Sequence, residues 1–252
     1  DFNQSLNDWN VASVNNMARM FKSATKFNQP LSNWNVASVT SMRKMFYQAY
    51  DFNQPLNVWN VESVTDMKRM FSYTTDFNQP LDNWNVASVT DMAYMFRDAP
   101  NFNQPLDDWN VESVNNMSYM FSGASKFNID PNYSRGSEFN QPLNDWNVAS
   151  VTTMRAMFFK AYDFNQPLND WNVASVTDMS IMFYKASSFN QPLDDWDVAS
   201  VTTMKGMFKQ DYYGRGSEFN QPLNDWDVAS VTDMSYMFSY ASNFNQPLDD
   251  WN

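Results

Sequence analysis

The chain contains no cysteine and no histidine. The first absence excludes disulfides, a thiolate nucleophile and cysteine-rich zinc sites, and the second removes the commonest general base. An extracellular protein needs no disulfide where stacked repeats supply its core, so the missing cysteine does not place it inside a cell. Positive charge is scarce as well: 16 Lys and Arg stand against 28 Asp and Glu, for a formal charge of −12. That balance argues against a nucleic-acid backbone as partner, because phosphate binding needs a basic stripe. No apolar run approaches the roughly 20 residues that cross a bilayer, so membrane insertion is not expected, and no signal peptide is visible. The sequence opens at the first position of a repeat and stops within one, so it reads as a mature segment or an excerpt of a longer chain.

What the chain does have is a period. Trp9, Trp34, Trp59, Trp84 and Trp109 recur at one constant interval; the series resumes at Trp146, Trp171 and Trp196 and finishes at Trp226 and Trp251. The unit reads F-N-Q-P-L-x-x-W-[ND]-V-[AE]-S-V-[TN]-x-M-x-x-M-F, followed by five variable positions. From Trp109 to Trp146 the distance is one period plus twelve, and from Trp196 to Trp226 it is one period plus five. With those extra positions set aside, the chain is nine whole repeats and the first ten positions of a tenth. Two insertion loops, at about 127–138 and 211–218, interrupt the series, and both end in Arg-Gly-Ser-Glu, at Glu138 and Glu218. A period of this length signals units too small to bury their own apolar faces, which stack to make a shared core. Residues 1–252 are therefore expected to form a single solenoid domain, since an unbroken period leaves no boundary between two cores.

Eight apolar positions recur in every complete unit, in the first as Phe2, Leu6, Trp9, Val11, Val14, Met17, Met20 and Phe21. The stretch Val11 to Met17 is short and β-branched, which predicts a strand. Met17-x-x-Met20-Phe21 has the i, i+3, i+4 spacing of a helical turn. The expected fold class is an α/β repeat solenoid of ten coils, each with short parallel strands and one short helical turn. Such coils would stack about 4.8 Å apart over roughly 50 Å. Pro30, Pro55 and their equivalents cannot donate to a ladder, so F-N-Q-P-L is a corner or a broken edge; the first copy alone has Ser5 there.

The string F-N-Q-P-L-N-D-W-N-V-A-S-V-T-D-M-S-Y-M-F, as in Phe219 to Phe238, resembles the BspA-like surface-protein repeat. That family is a relative of the leucine-rich repeats and is known from mycoplasma lipoproteins, other bacteria and some protists. The resemblance covers essentially the whole chain. It implies a leucine-rich-repeat-like solenoid on a cell surface, with adhesive or structural roles and no catalytic residues. The chain departs from the family's pattern in the proline before the leucine, in the two insertions, and in showing no membrane anchor or capping segment.

The Trp, Phe and Met columns are read as core, identical side chains filling the same slot in each coil, with thioethers packed on rings. The columns Asn3/Asn28/Asn53 and Asn10/Asn35/Asn60 are read as internal ladders that satisfy turn backbone between coils. Outside the insertions, every Lys and Arg lies between the Met-x-x-Met turn and the next Phe, as Arg19, Lys22, Lys26, Arg43 and Lys44 do. Acids crowd the corner before Trp instead. The pairs Asp107 and Asp108, Asp194 and Asp195, and Asp249 and Asp250 are candidate Ca²⁺ ligands, bridging neighbouring coils through carboxylate and amide oxygens. The plainer reading is a solvated acidic face, since Asn alternates with Asp in both columns and Val58 interrupts one.

No catalytic site is expected. The acid pairs recur at equivalent positions and mark no single unit, and the S-x-x-K matches, Ser23 to Lys26 and Ser41 to Lys44, fall at unrelated phases of the repeat. In Ser38-Val39-Thr40 and its copies, alternation turns Val inward and presents Ser and Thr as two outward files, a hydroxyl array suited to carbohydrate or ice. Asn15 and Asn115 break its regularity. Glycosylation acceptors of the N-x-[ST] type stand at Asn3, Asn116 and Asn132, the last within the longer insertion. The function expected is that of a non-enzymatic extracellular or cell-surface protein, structural or adhesive, self-associating head to tail into a fibre with the insertion loops as lateral contacts. The alternative is a monomeric recognition module for a glycan or host protein.

Overall fold

The computed structural model describes residues 2–123, 138–211 and 216–251. Coils 1 to 10 are numbered by their tryptophans, from Trp9 to Trp251.

Neighbouring coils are joined by a repeating set of main-chain hydrogen bonds. In the Met-x-x-Met segment alternate N–H groups reach forward: Met17 N to Ser41 O, Arg19 N to Arg43 O, Phe21 N to Met45 O and Ser23 N to Tyr47 O. The N–H groups between them close tight turns within the coil, Met20 N to Met17 O, Lys22 N to Arg19 O and Ala24 N to Phe21 O. Bonds also run the other way, Thr40 N to Asn15 O and Asp51 N to Thr25 O, the first beside a parallel bridge between Asn16 and Ser41. Eight such bridges form one file from Asn16 to Asp233, and the file passes both insertions without a break.

This arrangement corrects the expected α/β solenoid. Among the described residues there is no helix, and extended pairing is reduced to the isolated bridges. A helix spends each N–H on the carbonyl four residues back. Here alternate N–H groups are spent on the next coil, and Arg19 and Ser23 adopt φ of 65° and 61°. Each is the third residue of a four-residue turn, where type II geometry requires positive φ. The expected strand fails for a related reason. Val14 N donates to Val11 O, and Asn10 Oδ1 accepts from Ala12 N at 3.2 Å, so the segment turns over instead of running extended. What stands is the repeat itself.

The core lies between coils. Two phenylalanine files interlock, Phe21 on Phe27 at 4.2 Å and Phe46 on Phe52 at 4.0 Å, while Trp34 and Trp59 stack at 6.4 Å with rings 1° from parallel. From Trp34 to Trp251, each of nine indoles donates Nε1–H to the leucine carbonyl of the coil before, as Trp34 does to Leu6 O at 2.8 Å. Asn3 Oδ1 takes both Asn28 N and Gln29 Nε2, at 2.9 and 3.1 Å, and the pattern repeats up its column. Asn35 acts differently: its Oδ1 accepts from Ala37 N within its own coil.

Both poles of the stack confirm where burial comes from. Phe2, Trp9 and Met20 are 44, 54 and 40% exposed, whereas Phe27, Trp34 and Met45 one coil on are at 0, 4 and 0%. Burying one such side chain contributes roughly 2 kcal/mol, and only a neighbouring coil can supply it. At the opposite pole Met234, Met237, Phe238, Leu248 and Trp251 line an open apolar depression of about 410 Å³.

Candidate interaction surfaces

Three surfaces run along the stack, each a set of columns repeated at the coil period. The first is the turn side. All of the described Lys and Arg lie there, on the segment from the residue after the first Met to the residue before the next Phe. The forward hydrogen bonds hold this segment in register, so its side chains superpose from coil to coil. Two of its columns have positive φ. One holds Arg19, Lys44, Arg69, Tyr94, Tyr119, Ala156, Ile181, Gly206 and Tyr236, and the other includes Ser23, Gln48, Tyr73, Asp98, Lys160 and Lys185. Glycine stands in these columns at Gly206 and Gly123, and of the two only Gly206 has positive φ.

In coils 3 to 5 the turn side gathers tyrosines around one guanidinium. Tyr94 and Tyr119 stack at 4.7 Å, and Arg97 lies 5.5 Å from both rings and 5.6 Å from Tyr73. Arg97 Nε donates to Asp98 Oδ2 at 3.0 Å. Burial raises the Asp98 carboxyl to about 6 despite the nearby Arg97 cation and the Tyr73 hydroxyl. Tyr73 in turn is pushed up to about 12 by burial and by Asp98. At the start of the second insertion burial opposes ionisation of Asp211, but its bonds from Lys185 and Tyr184 hold the carboxyl below its ordinary range. The sequence confines the cations to this side of the repeat, and the tyrosines among them are what sequence reasoning missed; the signal that was available is that Arg19, Arg69, Tyr94 and Tyr119 share one column and that Tyr47 and Arg97 share another.

The second surface is the acidic corner. Asp107, Asp108, Asp194, Asp195, Asp249 and Asp250 are all exposed. Amide groups bridge this column between coils: Asn57 Nδ2 donates to Asp82 Oδ1 at 2.9 Å, and Asn169 and Asn224 donate to Asp195 and Asp250. Among the described residues no three acidic side chains come together as a metal-holding group. The arrangement here is amide to carboxylate.

The third surface is the hydroxyl file. Val39, Val64 and Val89 are buried while Thr40, Thr65 and Thr90 face solvent. The threonine hydroxyls are occupied, however: Thr40 Oγ1 donates to Asn15 O at 3.1 Å and Thr65 Oγ1 to Thr40 O at 3.3 Å, a ladder that continues to Thr232. Of the glycosylation acceptors, Asn3 is exposed with its Oδ1 in the asparagine ladder, and Asn116 is half-buried in the bridge file beside buried Met117. Asn132 lies outside the described residues. So do Arg135 to Ser137 and Arg215, whereas Glu138 N and Glu218 N return the chain to the stack by donating to Pro100 O and Ser187 O.

No helix of the described residues is long and apolar enough to cross a membrane. A family described as "Mycoplasma protein of unknown function, DUF285" matches four successive stretches, residues 1–72, 52–135, 129–213 and 176–252, which together span the chain. No curated protein matches it.

Proposed function

Since the chain belongs to the DUF285 family of mycoplasma proteins and is built of its tandem repeats, we propose that it is a non-enzymatic structural and adhesive protein of the cell surface. Its coils continue head to tail into further copies of the repeat, whether of the same chain or of another. The likeness to BspA-type surface repeats carries the extracellular placement.

The observation that supports this reading is the match between the two poles. At coil 1 the carbonyls of Asn16, Ala18, Met20 and Lys22 stand where Ser41, Arg43, Met45 and Tyr47 accept the N–H groups of the coil before. At the other pole, Met234, Tyr236 and Phe238 stand where Met17, Arg19 and Phe21 donate, with no following Met-x-x-Met segment among the described residues to receive them. A row of donors thus faces one way and a row of acceptors the other, at the same spacing. Apolar rings are bare at both poles. Charge favours the same contact: residues 1–50 carry five Lys and Arg against two Asp, and residues 201–252 carry three against seven Asp and Glu. Uncovered strand-like edges and apolar cross-sections associate readily.

Negative-stain electron microscopy of the purified chain, with and without a calcium chelator, tests it. Continuous filaments in both conditions are expected. Filaments lost in chelator would make the six corner aspartates metal ligands. Discrete short rods in both would sink head-to-tail assembly and favour a monomeric recognition module for a glycan or host protein.

A further inference from the structure

One stretch of the turn side opposes the charge of the rest of the molecule. Residues 1–50 have a net charge of +3, five bases less two acids, within a chain whose total is −12. Arg19, Lys44 and Arg69 form a single file over coils 1 to 3, with Arg43 beside Lys44 and Lys22 beside Tyr47. Elsewhere on this side six of the eight other described cations pair with acids, as Lys68 does with Asp91, Arg155 with Asp178 and Lys205 with Asp233, while Lys160 and Lys209 form no ion pair with a described residue. Lys26 pairs with Asp51, but none of Arg19, Lys22, Arg43, Lys44 and Arg69 forms an ion pair with a described residue. Asp66 stands in the same column as Asp91, Asp178 and Asp233, yet Arg43 makes no such pair. Asn16 and Ser41 hold that column in the first two coils, without charge.

Three further observations converge on the cluster. Arg43 Nε and Arg69 Nε are both buried without a hydrogen-bond partner, a costly state for a charged donor. The file is conformationally expensive: Arg19, Lys44 and Arg69 have φ of 65°, 58° and 59°, where glycine is free of strain and where Gly206 stands in coil 8. Finally, the cations repel one another. Lys44 is held below the ordinary lysine value by burial and then by Arg69, Arg19, Arg43 and Lys22. Three like charges in adjacent coils, on strained backbone, break a local rule, and their partners within the chain are the rings of Tyr47 and Tyr94, with no acid among them. An external anion supplies the missing opposite charge.

We infer that Arg19, Lys22, Arg43, Lys44 and Arg69 form a binding site for an anionic polysaccharide, carboxylated or sulfated, laid along the stack. This rests on the adhesive part of the function proposed above. Guanidinium groups bind carboxylate and sulfate oxygens in pairs. Tyr47, flanked by Lys22 and Lys44 at 6.0 and 5.7 Å, and Tyr94, beneath Arg69 at 4.3 Å, offer hydroxyls and ring edges to sugar. A thin flexible chain can meet the cluster alone. A duplex or a bilayer would bring its charge against the remainder of the chain, which is net acidic.

The test compares the wild type with the double variant Lys44→Gly, Arg69→Gly on immobilised heparin, polygalacturonate, neutral dextran and duplex DNA, over a salt gradient. Glycine suits the positive φ, so the variant is expected to melt no lower than wild type. Retention on heparin, on polygalacturonate or on both identifies the anion; it should weaken with salt and fall about tenfold or more in the variant. Four results overturn the inference: no retention of wild type, equal retention of the variant, equal retention on DNA, or cluster-dependent self-association without polysaccharide binding. Filaments that persist in the variant while retention is absent from both proteins would remove the site and leave the fibre reading standing.

Discussion

Asp98 shows how one side chain can be tuned by a stack that is otherwise uniform. Its column holds Ser23, Gln48 and Tyr73 in the preceding coils, all on the rim, but Asp98 is 5% exposed under Arg97 and Tyr73. Its carboxyl is raised from 3.8 to about 6. The folded chain therefore holds this proton more tightly than the unfolded chain between those values, so ionising Asp98 costs stability as pH rises through that window. Asp98→Asn is expected to remove the decline. Melting temperature measured every half unit should fall between pH 4 and pH 6.5 in wild type and stay flatter in the variant. A steeper fall in the variant would show that another group sets the slope. Asp211 and Asp233 act in a different window, since their carboxyls are lowered and their contribution is lost only as pH drops below the ordinary carboxylate value.

Between residue and molecule the unit is the double turn after each bridge residue. Its hydropathy, Met-x-x-Met-Phe, is that of a helical turn because both structures put residues i, i+3 and i+4 on one side. They differ in where the N–H groups go, and a single repeat carries no information on a bond whose acceptor lies in the next repeat, as Met45 does for Phe21. The positive-φ columns were equally illegible, because arginine, lysine and tyrosine stand where turn chemistry would place glycine or asparagine. Ile181 is the extreme case: a β-branched residue at φ 50°, with Cγ2 only 3.1 Å from where a Cβ on Gly206 would sit. Ile181→Asn is expected to raise stability by about 1 kcal/mol, because asparagine tolerates the left-handed region that costs other residues about that much. Urea unfolding reads this as a higher midpoint at unchanged slope; a lower midpoint would mean that the isoleucine packing outweighs its backbone strain.

At the scale of the whole chain the coil is the quantum of construction. Each column joins residues one period apart, and contacts between columns, such as Phe21 on Phe27, recur at the same period, so removing one whole period, Phe52 to Asp76, should bring coil 2 directly onto coil 4 with each column intact. The shortened chain is expected to keep its circular dichroism and unfold cooperatively, with a denaturant slope smaller by about a tenth. Removing only Phe52 to Phe71, five positions short of a period, shifts the Trp, Phe and Asn columns out of phase and should abolish cooperative unfolding. Equal behaviour of the two deletions would mean that the columns are not what holds the stack.

The period, the phase of each column and the identity of the buried side chains follow from the sequence alone. Leu6, Val11 and Met17 are buried as their positions require, and the Asn3 column spans coils as a ladder. Hydropathy reports which groups leave water, and that depends on position within the unit. Tertiary structure decided everything that depends on a partner one coil away: turns in place of strand and helix, the indole bond to the preceding leucine carbonyl, threonine hydroxyls spent on the ladder, and five cations left without an acid in coils 1 to 3. The reason is that a main-chain donor or a charged side chain is indifferent to its own repeat. What it does is set by the acceptor or the acid that stacking brings beside it.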